Sequence, residues 1–344
     1  MKILIVKLGA IGDIIHALPA LHAIRTALPD AEISWVAEKR SAEILRGNVL
    51  IDNLIEVDTR SLRSGKVVEQ ILPELSRQVR DLRKFSFDIA IDLQGLLKSA
   101  MIAKLSGAKI RYGFSKESLR EPASRIFFNR AVKVPAKIHV IRKNLKLVEE
   151  ALRIPPHDEN FEFPIFTDDE HRLEADRIAE EAGRNFVILN PAGGWVTKLW
   201  HAEKFGQLVD KIWEKHGLVS ILATGPNEAE LADKVLQNSR SAKALAVQPT
   251  LKGFFALSKQ AKVYVGGDTG PTHLAIAAGT PIVGIFGPTE WWRNGSTNLD
   301  DLCVERLDIG CRVDCHRRTC SNWICMDISV DTVLSAVSTR LGKI

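Results

Sequence analysis

The chain has 344 residues, of which 45% are hydrophobic and 26% charged, a balance typical of a folded protein with more than one domain. No apolar run reaches the roughly 20 residues of a membrane-spanning helix. The run Ile3–Val6, between Lys2 and Lys7, is too short for a signal peptide. We therefore expect a cytoplasmic protein that needs no disulfide or metal to fold.

The net charge of +5 is unevenly distributed. The first 155 residues carry 27 Lys and Arg against 17 Asp and Glu, whereas the remainder carries 20 against 25. A basic half indicates an anionic partner, for which nucleic acid, acidic lipid headgroups and a phosphorylated glycan are all candidates. The alternative is a solvated, lysine-rich surface.

Strand and helix patterns alternate in the first part of the chain. A strand at Ile3–Val6 precedes a helix from Asp13 to about Leu28, which Pro19 should kink or restart. The following elements are predicted as a strand at Ile33–Ala37, a helix near Ser41–Arg46, a strand at Leu54–Val57, a helix at Val68–Lys84, a strand at Phe87–Leu93 and a helix at Leu96–Leu105. This alternation predicts a parallel, doubly wound sheet.

A proline-containing polar segment near Pro155–Asp168 is predicted to be a linker. Beyond it the alternation resumes, with strands at Phe186–Leu189, Val219–Ala223, Val263–Val265 and Ile282–Phe286, and helices at Ala202–Lys215, Glu228–Gln237, Leu251–Lys259, Thr272–Ala278 and Val330–Leu341. We therefore expect two similar α/β domains with a cleft at the ends of both sheets, where ligands of such folds bind.

The segment Gly9–His16 joins the first strand to the first helix. Its glycine spacing differs from the Gly-x-Gly-x-x-Gly order of a dinucleotide site, which argues against a dehydrogenase. Asp13 is either an N-cap, which its position alone favours, or a general base that the helix dipole keeps ionised. His16 is expected to be a packed or hydrogen-bonded residue.

The segment Gly266–His273 is a second strand-to-helix junction. Backbone N–H groups at the helix start, together with the hydroxyls of Thr269 and Thr272, predict an anion site suited to a diphosphate. Pro271 fits the first helical turn, and Asp268 can accept hydrogen bonds from sugar hydroxyls. A tight turn followed by a capped helix is the alternative.

Two further loops follow strands of the second domain. In Asn190–Trp200, Lys198 carries a single charge suited to a phosphate, unless it is a surface lysine beside buried tryptophans. In Thr224–Glu228, Glu228 either binds ribose hydroxyls or starts its helix.

The segment Asp92–Ser99 is the corresponding junction in the basic domain. Four basic residues in the loops or helix starts of this domain can grip acidic groups of an acceptor, although each alone is more simply a solvated surface charge. They are Arg60, Arg63, Lys98 and Arg120.

All five cysteines lie late in the chain, at Cys303, Cys311, Cys315, Cys320 and Cys325. An odd number argues against a disulfide framework. The spacing of the last four lacks the paired short loops of a structural zinc site, so we favour packing inside a tight loop over metal binding.

Together these segments resemble the ADP-heptose:lipopolysaccharide heptosyltransferase family, in particular its heptosyltransferase I branch. The resemblance covers nearly the whole chain and rests on Ile3–Lys7, Gly12-Asp13, His16, Asp92, Gln94-Gly95, Lys98-Ser99, Arg120–Pro122, Lys198, Trp200, Asp268–Gly270, His273 and Phe286–Thr289. It implies an α/β fold of the GT-B type, with two facing, doubly wound, Rossmann-like domains. An acceptor domain is expected at 1–160 and a donor domain at 161–328, with the C-terminal helix of residues 329–344 packing back on the first domain.

The resemblance also implies an inverting, metal-independent transfer of heptose from ADP-heptose to the Kdo–lipid A inner core of lipopolysaccharide, with no cofactor. Asp13 would deprotonate the acceptor hydroxyl, and Lys198 would stabilise the departing diphosphate. Donor contacts would come from Gly194, Thr197, Lys198, Glu228, Asp268, Thr269, Gly270, Pro271, Thr272 and His273. Acceptor contacts would come from Gly12, Arg60, Arg63, Gln94, Lys98 and Arg120.

The partners implied are a nucleotide-diphosphate sugar, an acidic glycolipid and, by peripheral contact, the inner face of the inner membrane, but not nucleic acid. Two features depart from the family pattern. Glycines stand at Gly193 and Gly194, where the family often has hydroxyl residues, and the cysteine-rich end resembles the heptosyltransferase II branch. The alternatives are a transferase of another sugar or acceptor, a nucleotide-sugar epimerase, and a non-catalytic nucleotide-sugar binder or membrane-surface scaffold.

Overall fold

The computed structural model describes residues 1–58, 80–158, 160–313 and 315–344. They form two compact units, Met1–Phe166 and Thr167–Ile344. The boundary between the units falls in the segment predicted as a linker, a few residues beyond the expected division at 160. Within the described residues, no helix is both long and apolar enough to cross a bilayer.

A parallel six-stranded sheet forms the centre of the first unit. Its strands are Lys2–Val6 (β1), Glu32–Glu38 (β2), Asn53–Val57 (β3), Ile89–Asp92 (β4), Ile110–Phe114 (β5) and Arg130–Val132 (β6). Their order across the sheet is β3-β2-β1-β4-β5-β6, and every pair is parallel. The chain reverses its direction of winding between β1 and β4, which is the switch point where sheets of this kind bind ligands.

Four helices are described in full around this sheet, at Ile11–Ile15 (α1), Leu18–Ala27 (α2), Leu97–Leu105 (α3) and Val140–Leu152 (α4). The helix predicted from Asp13 is therefore two helices, and Pro19 restarts the second one in its first turn, as expected. The helix predicted near Ser41 is a 3-10 turn at Ala42–Leu45. Of the helix predicted at 68–84, only residues 80–84 are described, and they are helical.

The sequence-based prediction omits β5, β6 and α4. Helix α4 packs on α2 and buries Ile141, Leu145 and Val148. Its Asn144 side chain donates a hydrogen bond to the carbonyl of His16, at 2.9 Å, in the break between α1 and α2. This contact joins α4 to the turn that follows Asp13.

The second unit repeats the architecture of the first. Its strands are Phe186–Asn190 (β7), Val219–Ala223 (β8), Ala244–Val247 (β9), Tyr264–Gly266 (β10), Ile282–Phe286 (β11) and Leu302–Glu305 (β12). Their order, β12-β11-β10-β7-β8-β9, is the first sheet's order read from its other edge. The corresponding switch point lies between β7 and β10.

The helices of the second unit are Asp169–Glu181 (α5), Ala202–His216 (α6), Ala229–Gln237 (α7), Leu251–Ser258 (α8), Gly270–Ala277 (α9), Trp291–Asn294 (α10) and Val330–Leu341 (α11). Helix α5 and the short strands β9 and β12 are absent from the prediction. The core between the sheet and α6 is built from Val187, Leu189, Phe205, Leu208, Ile212 and Val265.

The C-terminal helix belongs to the second unit. Helix α11 packs on α6, β11 and β12, and its Val333 and Val337 are fully buried in that unit's core. Arg340 forms a buried ion pair with Asp301, with Nε 2.8 Å from Oδ1. The apolar face of the helix is used within the second unit, and the expected contact of residues 329–344 with the first domain stays a prediction.

Candidate active site

Asp13 lies just beyond the carboxyl end of β1, at the first unit's switch point. It is the third residue of α1 rather than its N-cap, and its Oδ2 accepts the N–H of Ala10 at 3.1 Å. The side-chain N–H of Gln94 lies 3.4 Å from the same oxygen. The amide orientation of Gln94 is set by its Oε1, which accepts the N–H groups of Leu8 at 3.0 Å and Gly9 at 3.3 Å. The half-buried carboxylate is thus held from two sides.

Asp92 ends β4 and organises the loop that carries Gln94. Its side chain is fully buried and accepts the N–H groups of Gln94 at 2.8 Å and Gly95 at 3.1 Å, and the hydroxyl of Ser99 at 2.9 Å. Burial raises the pKa of Asp92 to about 6, although these hydrogen bonds favour the charged form. Asp92 is therefore a positioning residue for Gln94.

Lys7 is a buried cation directly after β1, and its place in the site was not expected from the sequence. Its Nζ donates to the carbonyl of Leu93 at 2.8 Å. Burial lowers the pKa of Lys7, and the carboxylates of Asp13 and Asp92 oppose this shift. In the sequence, a lysine directly after an apolar strand was the signal that could have indicated a buried, paired cation.

The predicted acceptor residues are placed as follows. Gly12 is buried in α1, and Gln94 contacts Asp13 as described. Lys98, in the first turn of α3, pairs with the buried Glu38 at 3.0 Å, and Arg120 is exposed. Arg60 and Arg63 lie outside the described residues.

Asp268 is the centre of the equivalent site in the second unit, directly after β10. Lys198 Nζ lies 2.7 Å from its Oδ2 and 2.9 Å from its carbonyl. His273 Nε2 lies 3.2 Å from Oδ1, and the Asn294 amide is 3.3 Å from Oδ2. Burial alone would raise the pKa of Asp268, but the hydrogen bond from His273 and the charge of Lys198 outweigh it and hold the pKa well below its usual range.

The turn after Asp268 opens helix α9. Thr269 is the N-cap residue, and Gly270 and Pro271 follow in the first turn. The Thr272 hydroxyl is fully buried and bonds to the Gly267 carbonyl and the Tyr264 hydroxyl. We expected this hydroxyl at a diphosphate, and the structure places it in hydrogen bonds within the turn; a donor contact from Thr272 stays a prediction.

The loop after β7 differs in part from its prediction. A Cβ built at Gly194 meets nothing within 4 Å, whereas one at Gly193 would lie 2.9 Å from the Leu199 side chain. The Thr197 hydroxyl, expected at the donor, instead donates to the Arg317 carbonyl at 2.7 Å. Thr197 therefore anchors the cysteine-rich segment, because its side chain is buried there.

Glu228 immediately precedes α7. Its Oε2 accepts the N–H of Gly225 at 2.8 Å, which closes the turn after β8. The side chain is half-buried, and the predicted contact with a ribose hydroxyl stays a prediction.

The cysteine-rich segment encloses a cavity of about 220 Å³, lined by Cys311, Cys315, Cys320 and Cys325 among others. All five cysteines are free thiols. Buried Arg312 anchors the segment, with Nη2 2.6 Å from Glu305 Oε2 and Nε donating to the carbonyl of Gly287 at 3.2 Å. Across the described part of the chain, no three His, Cys, Asp or Glu side chains are placed to hold a metal ion.

These two sites can be compared with known proteins. The model of glycosyltransferase family 9 (heptosyltransferase) matches residues 75–323. The chain belongs to this family. It is therefore a glycosyltransferase, and the matched range runs from before the Asp92 loop through the Asp268 turn to the cysteine-rich segment.

Relatives in the family match most of the chain. Lipopolysaccharide heptosyltransferase 1 of Pseudomonas aeruginosa is 29% identical over 322 residues, which cover 93% of this chain and 88% of that protein. Lipopolysaccharide heptosyltransferase 1 of Escherichia coli K12 is 27% identical, covering 84% of this chain and 89% of that protein.

Solved family 9 structures share the fold. The Escherichia coli heptosyltransferase WaaC with ADP matches with a TM-score of 0.80 at 23% identity, covering 99% of this chain and 100% of that one. The glycosyltransferase family 9 protein of Veillonella parvula matches with a TM-score of 0.84 at 22% identity, covering 100% and 98%. The predicted α/β fold of the GT-B type, with two doubly wound parallel sheets, is confirmed.

Proposed function

We propose that this family 9 glycosyltransferase transfers heptose from ADP-heptose to the Kdo–lipid A inner core of lipopolysaccharide. The observation that carries the proposal is the carboxylate of Asp13, held at the switch point of the first sheet by Ala10 and Gln94. The names of the heptosyltransferase 1 relatives support the sugar and the acceptor.

Asp13 is the proposed general base of a single, inverting displacement. The acceptor hydroxyl attacks the anomeric carbon, the bond from that carbon to the diphosphate oxygen breaks, and ADP leaves with the bonding electrons. The hydroxyl proton passes to the Asp13 carboxylate. Both described hydrogen bonds to this carboxylate reach Oδ2, so we assign the proton to Oδ1. A base at this step contributes roughly 10²- to 10⁴-fold in rate.

Lys198 and the start of α9 are proposed to hold the departing diphosphate. An ammonium has three N–H donors, and two of those on Lys198 are directed at Asp268. The ammonium also lies over the Trp195 ring, 4.3 Å from its centre, and in the proposal its third N–H turns to a phosphate oxygen next to the backbone N–H groups of Gly270 and Thr272 at the helix N-terminus. Because Asp268 stays ionised, it fixes the position of the lysine charge.

The remaining donor contacts in the proposal are Glu228 at the ribose, Asp268 and His273 at the sugar, and backbone or small-residue contacts at Gly194, Thr269 and Pro271.

In the basic first unit, Lys98 and Arg120 would meet carboxylates and phosphates of the acceptor. Arg60 and Arg63, which lie outside the described residues, would do the same. An acceptor of this kind is a membrane glycolipid, so we also propose a cytoplasmic protein in peripheral contact with the inner face of the inner membrane.

A donor screen tests the proposal. ADP-heptose, ADP-glucose and UDP-sugars are each incubated with a truncated Kdo–lipid A acceptor, and both nucleotide release and acceptor mass are measured. We expect release with ADP-heptose, matched by a heptose-sized gain in acceptor mass. Donor conversion without acceptor would instead establish an epimerase, and donor binding without turnover a non-catalytic binder.

A further inference from the structure

Helix α3 is apolar on its solvent side as well as on its core side. Ala100 and Ala103 are fully buried against the sheet, as expected for a helix of an α/β unit. On the opposite side, Leu97 and Met101 are 41% and 43% exposed. One turn separates these two residues, so they lie next to each other on the helix surface.

A neighbouring 3-10 helix, Pro122–Phe127, extends this apolar surface. It packs against α3, and the N–H of Leu97 donates to Glu121 Oε2 at 2.6 Å, so the two elements start side by side. Ile126 in this turn is 79% exposed. We call the surface formed by Leu97, Met101, Pro122, Ala123 and Ile126 the α3 patch. Because α3 and the Pro122–Phe127 helix pack together, we infer that these exposed residues form one apolar surface, which is typical of an interaction site.

The chain segment that carries the α3 patch is strongly basic. Residues 97–130 contain eight Lys and Arg but only two acidic residues. One of the two, Glu121, is hydrogen-bonded to the start of α3. Lys104 in α3 and Arg130 at the start of β6 are both exposed. Apolar residues accompanied by basic residues complement an acidic phospholipid bilayer. The apolar side chains can enter the acyl region, and the cations can meet the anionic headgroups.

The α3 patch is also continuous with the proposed acceptor residues. Lys98 is the neighbour of Leu97 in α3, and Arg120 directly precedes Glu121 and Pro122. Both cations are therefore next to patch residues along the chain; Lys98 reaches the buried carboxylate of Glu38, and Arg120 is exposed.

We propose that the α3 patch docks the protein onto anionic lipid bilayers, with Met101 and Ile126 entering the interface and the surrounding cations meeting lipid phosphates. The inference rests on the proposed function, because an enzyme whose acceptor is a membrane glycolipid must reach the membrane surface. The new statement is that the α3 patch is the part of the first unit that contacts the membrane.

Vesicle flotation tests this inference without donor or acceptor. The full chain is mixed with vesicles of phosphatidylcholine alone or with added phosphatidylglycerol. We expect binding that depends on phosphatidylglycerol and on low salt. The double variant Met101→Glu/Ile126→Glu should partition at least about tenfold less, because burying each of these side chains is worth more than a tenfold change. The matched control is Leu173→Glu, at a 61% exposed leucine on helix α5 of the second unit, which should bind like the wild type.

A second, milder variant, Ile126→Ser, is included in case the double variant does not fold. Circular dichroism is recorded for every protein to check its folding. If a well-folded variant binds vesicles as strongly as the wild type does, the proposal is overturned. Equal binding of the wild type to vesicles with and without phosphatidylglycerol would also overturn it. Sedimentation velocity showing a dimer that Ile126→Ser dissociates would overturn it in favour of a second copy of the chain.

Activity separates this inference from the proposed function. We expect Ile126→Ser to retain transfer to a detergent-free, short-chain acceptor and to lose most transfer to acceptor embedded in vesicles. Vesicle binding by a wild type that transfers no heptose would defeat the proposed function but leave the docking surface standing.

Discussion

Gln94 and Asp13 are joined across the switch point of the first sheet, with Gln94 Nε2 3.4 Å from Asp13 Oδ2. The amide cannot turn over without losing its two bonds from the backbone N–H groups of Leu8 and Gly9. The end of β4 therefore determines where the carboxylate after β1 is held. A base fixed in this way reaches an acceptor hydroxyl without reorganisation.

Replacing Asp13 by Asn should remove the proposed base while keeping the shape of the side chain. We expect kcat to fall by roughly 10²- to 10⁴-fold, because an amide does not take up the acceptor proton. The affinity for ADP, measured by calorimetry, should stay within about twofold of the wild type, since the proposed donor contacts lie in the second unit. Asp30→Asn, at an exposed aspartate in the turn after α2, is the matched control and should retain full activity. Wild-type kcat in Asp13→Asn would exclude this residue as the base.

Replacing Lys198 by Ala should lower both donor use and stability. The change leaves Asp268, whose side chain is only 6% exposed, without its closest cation. Removing one partner of such a buried pair costs roughly 3–5 kcal/mol. Differential scanning calorimetry measures the loss, and Lys234→Ala, which breaks an exposed helical pair, should leave the melting temperature unchanged.

The pH dependence of the same variant has a definite sign. The folded-state pKa of Asp268 lies below the ordinary value of 3.8, so its ionised form stabilises the fold above that pH, and the stability is lost as pH falls towards the folded pKa. Without the charge of Lys198, the pKa of Asp268 is lowered less, so the variant loses less stability than the wild type as pH falls below 3.8. The difference in melting temperature between the wild type and Lys198→Ala should therefore shrink on acidification below that pH. Parallel curves would show that the lysine charge does not control this carboxyl group.

Asp92 should make the wild type less stable as pH rises. Its folded-state pKa is raised from 3.8 to about 6, so its contribution to stability is complete below about pH 4 and is lost as pH rises through about 6. A shift of this size corresponds to roughly 3 kcal/mol. In Asp92→Asn, the free energy of unfolding relative to the wild type should thus improve between pH 4 and pH 7, as measured by urea denaturation. A constant difference across this range would contradict the raised pKa.

Replacing Arg340 should lower the free energy of unfolding far more than replacing an exposed cation near it. Arg340→Ala leaves Asp301, which is 3% exposed in its side chain, without its ion partner, and we expect a loss of roughly 3–5 kcal/mol in urea denaturation. Lys211→Ala is the matched control, because Lys211 pairs with the exposed Asp331 on the same helix α11. Equal effects of the two variants would mean that burial of the Arg340 pair contributes nothing.

The local pattern of the sequence was enough for the repeated strand–helix architecture. Buried strands such as β1 and β7 are continuous apolar runs, and the helix starts after β1, β4 and β10 carry Gly, Asp and Thr, whose turn chemistry is local. The positions of Asp13, Gln94 and Asp268 just after strands, and of Lys198 in the loop after β7, followed from this pattern alone. The strands β5, β6, β9 and β12 were missed, because each is short and partly exposed and none is a continuous apolar run like β1 or β7.

Only the tertiary structure decided which of these residues meet and what occupies their hydrogen-bonding groups. Gln94 reaches Asp13 over 81 residues and Lys198 reaches Asp268 over 70, through strand neighbours that the order along the chain does not specify. The hydroxyls of Thr197 and Thr272 fit a diphosphate by type, yet both are buried and must be satisfied inside the protein. The sequence fixes which groups lie at a strand end, whereas burial and long-range pairing decide which of them remain for a ligand.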